Sequence, residues 1–134
     1  MLKAFKYRLY LTKAQRKALR NMLREARWLY NKLLEQRKTL WENDKQSISC
    51  FEQQKLIPQF KIERPTLKAA FSQVLQDVAK RLDRAMQGFF RRVKRGETPG
   101  YPRFRGHHRY NSITFPQVPV GCKVTADGQL AVSG

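Results

Sequence analysis

The sequence predicts an α+β fold, in which one strand precedes a small helical bundle and further strands follow it. Three observations support this prediction. Apolar side chains alternate with polar ones over residues 2–11, recur every three or four positions over residues 13–41 and 66–95, and return in β-branched segments after residue 112. A period of two is typical of a half-buried strand, and a period of 3.6 is typical of an amphipathic helix.

The predicted first strand presents one apolar face, made of Phe5, Tyr7, Leu9 and Leu11. Thr12 follows this strand, and Gln15 lies three positions further on. This spacing is a capping-box pattern, in which each side chain satisfies a free backbone N–H group of the other residue. We therefore predict that a helix begins at residue 13.

Two long amphipathic helices are predicted, over residues 13–41 and 66–95, because their apolar residues form single stripes. Between them, Asn43, Asp44 and Ser47 indicate a turn, and residues 51–57 could form a short helix. Pro58 and Pro65 are expected to stop any longer helix there. Helices in this order predict a small antiparallel bundle over residues 13–95.

Residues 96–112 contain three glycines and two prolines without periodicity, which indicates an exposed connector. The apolar, β-branched residues 113–115 and 118–120 are predicted strands. Residues 124–132 are predicted to form a hairpin that turns at Asp127-Gly128. An unpaired strand edge near this hairpin would favour self-association.

The charge of the chain points to a polyanionic partner. Lysine and arginine total 28 and aspartate and glutamate 10, a formal net charge of +18. Self-repulsion on this scale opposes folding unless an anion offsets it. Hydrophobic residues make up 41% of the sequence, which is enough for a core and argues against wholesale disorder.

The candidate binding residues are basic side chains on the outer helix faces and a basic, aromatic connector. Arginine grips phosphate with a bidentate fork, and an aromatic ring offers a stacking face to a base. Trp28 lies off the apolar stripe of its helix, and packing against the first strand is favoured over stacking on a base. The predicted nucleic-acid-binding residues are Arg16, Arg20, Arg24 and Arg27 on the first helix, Lys80, Arg84, Arg91 and Arg95 on the last helix, and Tyr101, Arg103, Phe104, Arg105 and Arg109 in the connector.

Catalytic and metal sites are not expected. Cys50 and Cys122 have no second ligand at zinc spacing and are interpreted as free thiols. The neighbouring His107 and His108 point opposite ways on an extended chain, and the ten carboxylates are scattered. No apolar run approaches the ~20 residues that span a bilayer. We expect a cytoplasmic protein without a cofactor, a metal or a membrane anchor.

Four segments resemble, in order and spacing, the amino-terminal part of the OrfB/TnpB family of transposon-encoded proteins. They are AFKYRLYLT, AQRKALRNMLREARWLYNKLL, LDRAMQGFFRRVKRG and PGYPRFRGHHRYNSITFPQ. The resemblance covers residues 3–117, and more loosely the rest of the chain. TnpB proteins are RNA-guided DNA endonucleases that have long been described as transposases.

The resemblance implies a more specific fold than periodicity does. The amino-terminal half of the family is a wedge-like β-barrel that is interrupted by a helical recognition bundle. By that likeness, residues 1–12 would be the first barrel strand, residues 13–95 the bundle with its helix-turn-helix, residues 96–112 the connector, and residues 113–134 returning barrel strands. The barrel would be incomplete.

The resemblance also implies a function, binding of guide RNA and target DNA, and a departure from the family. Family members cleave with a RuvC-like nuclease domain in the carboxy-terminal half, which is followed by a zinc ribbon. The sequence ends before either, as in a natural truncation, an engineered fragment or a decayed copy, so the cleavage activity is not carried over. A nuclease half acting in trans is one expected partner.

Three other functions stay open at this stage. A stand-alone helix-turn-helix regulator would prefer duplex DNA of a particular sequence. A structural or interaction protein would have no nucleic-acid partner. A peripheral membrane protein would need a basic helix with an apolar face turned to lipid, whereas the apolar stripes here are predicted to face the core.

Overall fold

Helices make up most of the fold in the computed structural model, which describes residues 2–117 and 121–132. The elements are α1 (Lys13–Asp44), α2 (Cys50–Glu63), a short 3₁₀ helix (Pro65–Ala69), α3 (Ser72–Lys94), β1 (Cys122–Val124) and β2 (Leu130–Val132). The predicted α+β class is confirmed. A wedge-type barrel is not present among these described residues, whose strands form one two-stranded sheet.

Helix α1 begins where the capping box predicted. The Thr12 hydroxyl accepts a hydrogen bond from the Gln15 backbone N–H at 3.2 Å, and the Gln15 side chain accepts one from the Thr12 N–H at 2.9 Å. The helix ends at Asp44, and the capping residue Lys45 adopts the left-handed conformation at φ 51° and donates its N–H to carbonyls of the last turn. Both ends are therefore satisfied locally.

The core lies where the apolar stripes of α1 and α3 face each other. Leu29 and Leu33 on α1, and Leu75, Leu82 and Met86 on α3, are fully buried. Burial of each such side chain stabilises the fold by about 1.5–3 kcal/mol. The predicted bundle therefore forms, and the opposite, basic faces of both helices turn outward.

Helix α2 continues through Pro58, which was predicted to end it. The prediction was wrong because Ile57 and Phe60 bury their side chains against the other helices on either side of the proline, and this burial offsets the missing backbone hydrogen bond. Gln53 ties α2 to α1, since its buried Nε2 donates to the Leu33 carbonyl at 3.1 Å.

The last helix begins later than predicted. Residues 65–69 form the 3₁₀ helix, Ala70 is extended at φ −101° and ψ 139°, and α3 starts at Ser72. Leu67 is nevertheless fully buried, so the apolar pattern identified a core residue outside the regular helix. Gly96, at φ 82°, follows the end of α3.

The predicted strand over residues 2–11 does not form in the structure. These residues have no regular secondary structure, and Phe5 and Tyr7 are 74% and 79% exposed. A strand needs a hydrogen-bonded neighbour, and within residues 2–117 and 121–132 only β1 and β2 pair. Residues 113–115 are not a strand either; Ile113 and Phe115 instead pack against the core. The predicted strand 118–120 lies outside the described residues.

The carboxy-terminal hairpin is confirmed. β1 and β2 are antiparallel, with Val124 opposite Leu130, and Gly128 in the turn adopts φ 82°. Gly121, just before β1, lies so close to Phe71 that an added Cβ atom would come within 2.7 Å of its ring. Phe71 of the bundle is therefore close to the residue that precedes the hairpin, whereas Val124 and Val132 in the hairpin remain exposed.

Candidate nucleic-acid interface

The outer face of α1 carries the first group of predicted residues. Arg16, Arg20 and Arg24 are exposed, and Arg27 is half-buried. Spacings of three and four place all four on one side of the helix, one turn apart. The apolar stripe holds the other side of α1 against α3, so these arginines face outward, as the helical period predicted.

The outer face of α3 carries Lys80, Arg84, Arg91 and Arg95, all exposed. Burial raises the pKa of the Cys50 thiol at the start of α2, Asp83 adds to the rise, and the cations Arg37, Lys80 and Arg84 oppose it. Arg91 lies in the last turn of α3 and Arg95 caps its end, where the connector begins.

The connector crosses α1 and is held there by one side chain. The Asn31 Nδ2 donates to the Arg105 carbonyl at 2.9 Å, and the Asn31 Oδ1 accepts from the Arg105 N–H at 2.8 Å. The Arg105 guanidinium also lies 5.5 Å from the centroid of the Tyr30 ring. Both backbone groups of residue 105 are thereby bonded to α1, so a loop without secondary structure has a defined position.

The two connector aromatics that were predicted to bind, Tyr101 and Phe104, differ in role. Tyr101 stacks on Phe89 of α3, with ring centroids 4.6 Å apart, and so packs against the core. Phe104 is 50% exposed. The Lys38 ammonium lies 5.3 Å from the Tyr101 ring centroid and 5.9 Å from that of Phe104. Of the predicted stacking residues, Phe104 is the one with a ring available to a ligand.

Two grooves flank the connector. The α1 groove, of about 450 Å³, is lined by Arg24, Arg27, Trp28, Lys32, Arg64 and Phe104. The α3 groove, of about 420 Å³, is lined by Tyr30, Phe89, Arg92, Tyr101, Arg103 and Arg105. Each groove thus combines cations with aromatic rings, the pairing that suits phosphates and bases.

The grooves bring together some of the predicted residues and leave others apart. Arg24, Arg27 and Phe104 share the α1 groove, and Tyr101, Arg103 and Arg105 share the α3 groove. The remaining predicted residues line neither groove: Arg16, Arg20, Lys80, Arg84, Arg91, Arg95 and Arg109.

Three groove cations were missed from the sequence. Lys32 follows Arg24 and Trp28 at steps of four residues, and that spacing could have identified it. Arg92 adjoins a predicted residue in the basic end of α3. Arg64 had no local signal, because it caps the end of α2 and reaches the groove only through the return of α2 toward α1. Trp28 packs as favoured, but edge-on to Phe60, at 6.3 Å, rather than against the first strand.

Ion pairing separates the arginines into two sets. Three arginines pair with carboxylates between or along the helices, namely Arg37 with Asp83 at 2.9 Å, Arg64 with Glu25 at 2.7 Å and Arg81 with Asp77 at 3.0 Å. None of these three is a predicted binding residue. Across residues 2–117 and 121–132, no predicted cation lies within 4 Å of a carboxylate.

The comparison with known families bears on the amino-terminal part of this surface. Residues 1–46 match the family model of the OrfB/IS605 helix-turn-helix domain. The amino-terminal region is of the OrfB/IS605, or TnpB, type. No curated protein matches the chain. The match confirms the resemblance for this part of the sequence.

The OrfB/IS605-type region contains residues 2–12 and all of α1, including the arginines of its outer face. It holds one continuous helix, because the turn follows Asp44 and α2 begins only at Cys50. The next helix, α2, lies beyond the matched residues. Helix-turn-helix domains generally bind DNA.

The described residues contain neither a membrane-spanning helix nor a metal-binding cluster. No helix there combines the length and the hydropathy needed to cross a bilayer. No group of three or more histidine, cysteine, aspartate or glutamate side chains there is arranged to hold a metal ion. Both cysteines are free thiols, as predicted.

Proposed function

We propose that this chain is the nucleic-acid-binding amino-terminal region of a TnpB-like transposon protein, which holds guide RNA and target DNA through its basic helix faces and its arginine and aromatic connector. The observation that carries the proposal is the division of the cations. The carboxylates that form ion pairs lie between the helices or along α3, and the outer arginines have no carboxylate within 4 Å among the described residues.

The electrostatic argument follows from this division. With 28 basic and 10 acidic residues, the chain cannot neutralise its own surface even if every acid were paired. Like charges one turn apart, such as Arg16, Arg20 and Arg24, destabilise a helix by a few tenths of a kcal/mol per pair. Phosphates placed along this face would replace that repulsion with attraction and release condensed counterions.

The connector adds features that charge alone does not supply. Asn31 holds residue 105 in place, so the side chains of Arg103, Phe104 and Arg105 extend from an ordered backbone. An ordered loop loses less conformational entropy on binding than a free one. This supports recognition of backbone shape, with the helix faces supplying most of the affinity.

A salt titration of the full chain tests the proposal. Fluorescence anisotropy would measure affinity for a structured RNA and for a duplex DNA as salt is raised. If about six phosphates are neutralised, the logarithm of affinity falls against the logarithm of salt with a slope near −5. A slope near −1 would contradict the proposal. We further propose binding without cleavage, so labelled DNA recovered from the titration in magnesium buffer is expected to be intact.

A stand-alone helix-turn-helix DNA binder is the second candidate, and the match over residues 1–46 favours it. That function predicts preference for a particular duplex sequence and a footprint within one groove. The first candidate predicts that structured RNA displaces the duplex. A competition gel with both ligands separates the two functions.

A further inference from the structure

The α1 groove, on the amino-terminal side of the connector, has a floor and two walls. The floor is the face of α1 that carries Arg24, Trp28 and Lys32 at steps of four residues. One wall is Arg64 at the end of α2, and the other is Phe104 of the connector. Its volume of about 450 Å³ falls within the range of small-molecule sites and admits one unpaired nucleotide rather than a double helix.

The groove carries positive charge that is available to a ligand. Arg64 is matched by the buried Glu25, whose carboxylate takes both a 2.7 Å and a 3.3 Å hydrogen bond from it. Arg24, Arg27 and Lys32 have no carboxylate within 4 Å in the described part of the chain, and Glu35 is the one acid in the lining. The floor therefore offers three cations to a phosphate.

The two aromatic rings of the groove are not equally open. The Arg64 guanidinium lies 4.9 Å from the centroid of the Trp28 ring and covers it, while Phe60 meets Trp28 edge-on. Phe104 is half exposed, and its nearest cation, Lys38, is 5.9 Å from the ring centroid. A base that enters the groove thus has the Phe104 ring to stack on.

We propose that the α1 groove binds one unpaired nucleotide of a single strand, with the base stacked on Phe104 and its phosphate held by Arg24, Arg27 and Lys32. The inference rests on the proposed nucleic-acid-binding function and adds a distinction to it. The outer helix faces bind any polyanionic backbone, whereas this groove accepts only a nucleotide that is free of its partner strand. Single-stranded RNA and DNA share the chemistry that it recognises.

The test compares Phe104→Ala with a matched control, Phe51→Ala. Phe51 is also exposed, at 63%, and also has a lysine near its ring, Lys55 at 4.5 Å, but it lies on α2 outside the groove. Anisotropy would use an oligothymidylate of about 12 nucleotides, its oligouridylate counterpart and the corresponding DNA duplex, a length within single-strand site sizes. Thermal unfolding would confirm that both variants are folded.

We expect Phe104→Ala to weaken single-strand binding about 5- to 100-fold, the effect of losing one stacked base, and to leave duplex affinity within about twofold. Phe51→Ala should change neither. Comparison of the thymidylate and uridylate shows which sugar the groove prefers. An equal loss on single strand and duplex, or no loss on the single strand, overturns the inference.

A fluorescence measurement gives a second readout inside the groove. The chain has two tryptophans, and Trp41→Phe leaves Trp28 as the single indole. Saturable quenching of Trp28 by the single strand, reduced by Phe104→Ala, supports the inference, and its absence contradicts it. If every ligand binds in a salt-dependent way and Phe104→Ala changes none of the affinities, this inference is wrong and the proposed function is unaffected. Binding to no nucleic acid at low salt would remove the proposed function as well.

Discussion

The inner and outer arginines of this molecule differ in both surroundings and task. Arg37 is 4% exposed and is held by Asp83 and by Gln53, at 2.9 Å and 2.7 Å. Arg20, on the outer face of α1, is exposed and has no carboxylate within 4 Å among the described residues. Both are arginines on α1, yet one joins three helices and the other faces solvent.

The difference shows how a strongly basic chain can still fold. A buried cation must be paired and hydrogen-bonded, because loss of hydration costs several kcal/mol. The acids that form ion pairs lie between the helices or along α3, beside arginines that are buried or partly buried. The outer cations are hydrated, so the fold tolerates them unpaired, and they remain available to a ligand.

The largest expected effect is on stability, from Arg37→Leu. The change leaves Gln53 and Asp83 without their main partner, and we expect the free energy of unfolding to fall by about 3 kcal/mol, toward the lower end for a broken buried pair because Asp83 is 22% exposed. Urea denaturation measures it, with Arg20→Gln as the exposed control, expected to change stability by less than about 0.5 kcal/mol. Equal losses in both variants would remove the distinction between inner and outer arginines.

An intermediate effect is expected on binding, from the double variant Arg16→Gln with Arg20→Gln. Each lost phosphate contact lowers the steepness of the salt dependence by about 0.9, so the slope should become shallower by about 2. Stability should hold or rise slightly, because the like-charge pairs Arg16–Arg20 and Arg20–Arg24 are removed. Lys55→Gln on α2, outside the predicted faces, is the control and should not move the slope. An unchanged slope in the double variant would show that the outer face of α1 is not part of the interface.

The smallest expected effect is on the loss of stability at alkaline pH. Burial raises the pKa of the Tyr110 phenol, and the nearby Arg81 opposes the rise. The folded state then holds the phenolic proton more tightly than the unfolded chain, so the free energy of unfolding falls as pH rises above about 10. Tyr110→Phe should make this fall shallower in denaturation curves recorded up to about pH 11.

Tyr10→Phe is the matched control for the pH experiment, because Tyr10 is 86% exposed. The free energy of unfolding of this variant should fall with rising pH as steeply as that of the unmodified chain. If the free energy of unfolding of Tyr110→Phe falls with pH as steeply as that of the unmodified chain, the buried phenol does not contribute to the loss of stability.

Local sequence patterns predicted the elements that depend on neighbouring residues. The Thr12 and Gln15 capping box starts α1 as expected, and the apolar stripes identified the facing sides of α1 and α3. The Asp127-Gly128 turn joins β1 and β2. In each case the forces act across a few residues, so the spacing along the chain determines the outcome.

The prediction for residues 2–11 failed for the opposite reason. Their alternation is typical of a strand, but a strand forms only with a partner, and none of the described residues pairs with them. Pro58 was predicted to end the helix because the loss of a backbone hydrogen bond at proline is a local effect. The burial of Ile57 and Phe60, which offsets that loss, depends on the packing of the helices. Both errors involve contacts that are distant in sequence.

By itself, the sequence determined the charge, the amphipathic helices and hence which arginines lie on the outer faces, because each of these follows from composition and a 3.6-residue period. Only the tertiary structure decided which arginines pair with carboxylates across helices and where the grooves lie. Asn31 and Arg105 are 74 residues apart, and Arg64 and Glu25 are 39 apart. Contacts at such separations depend on the packing of whole helices, and no local periodicity encodes them.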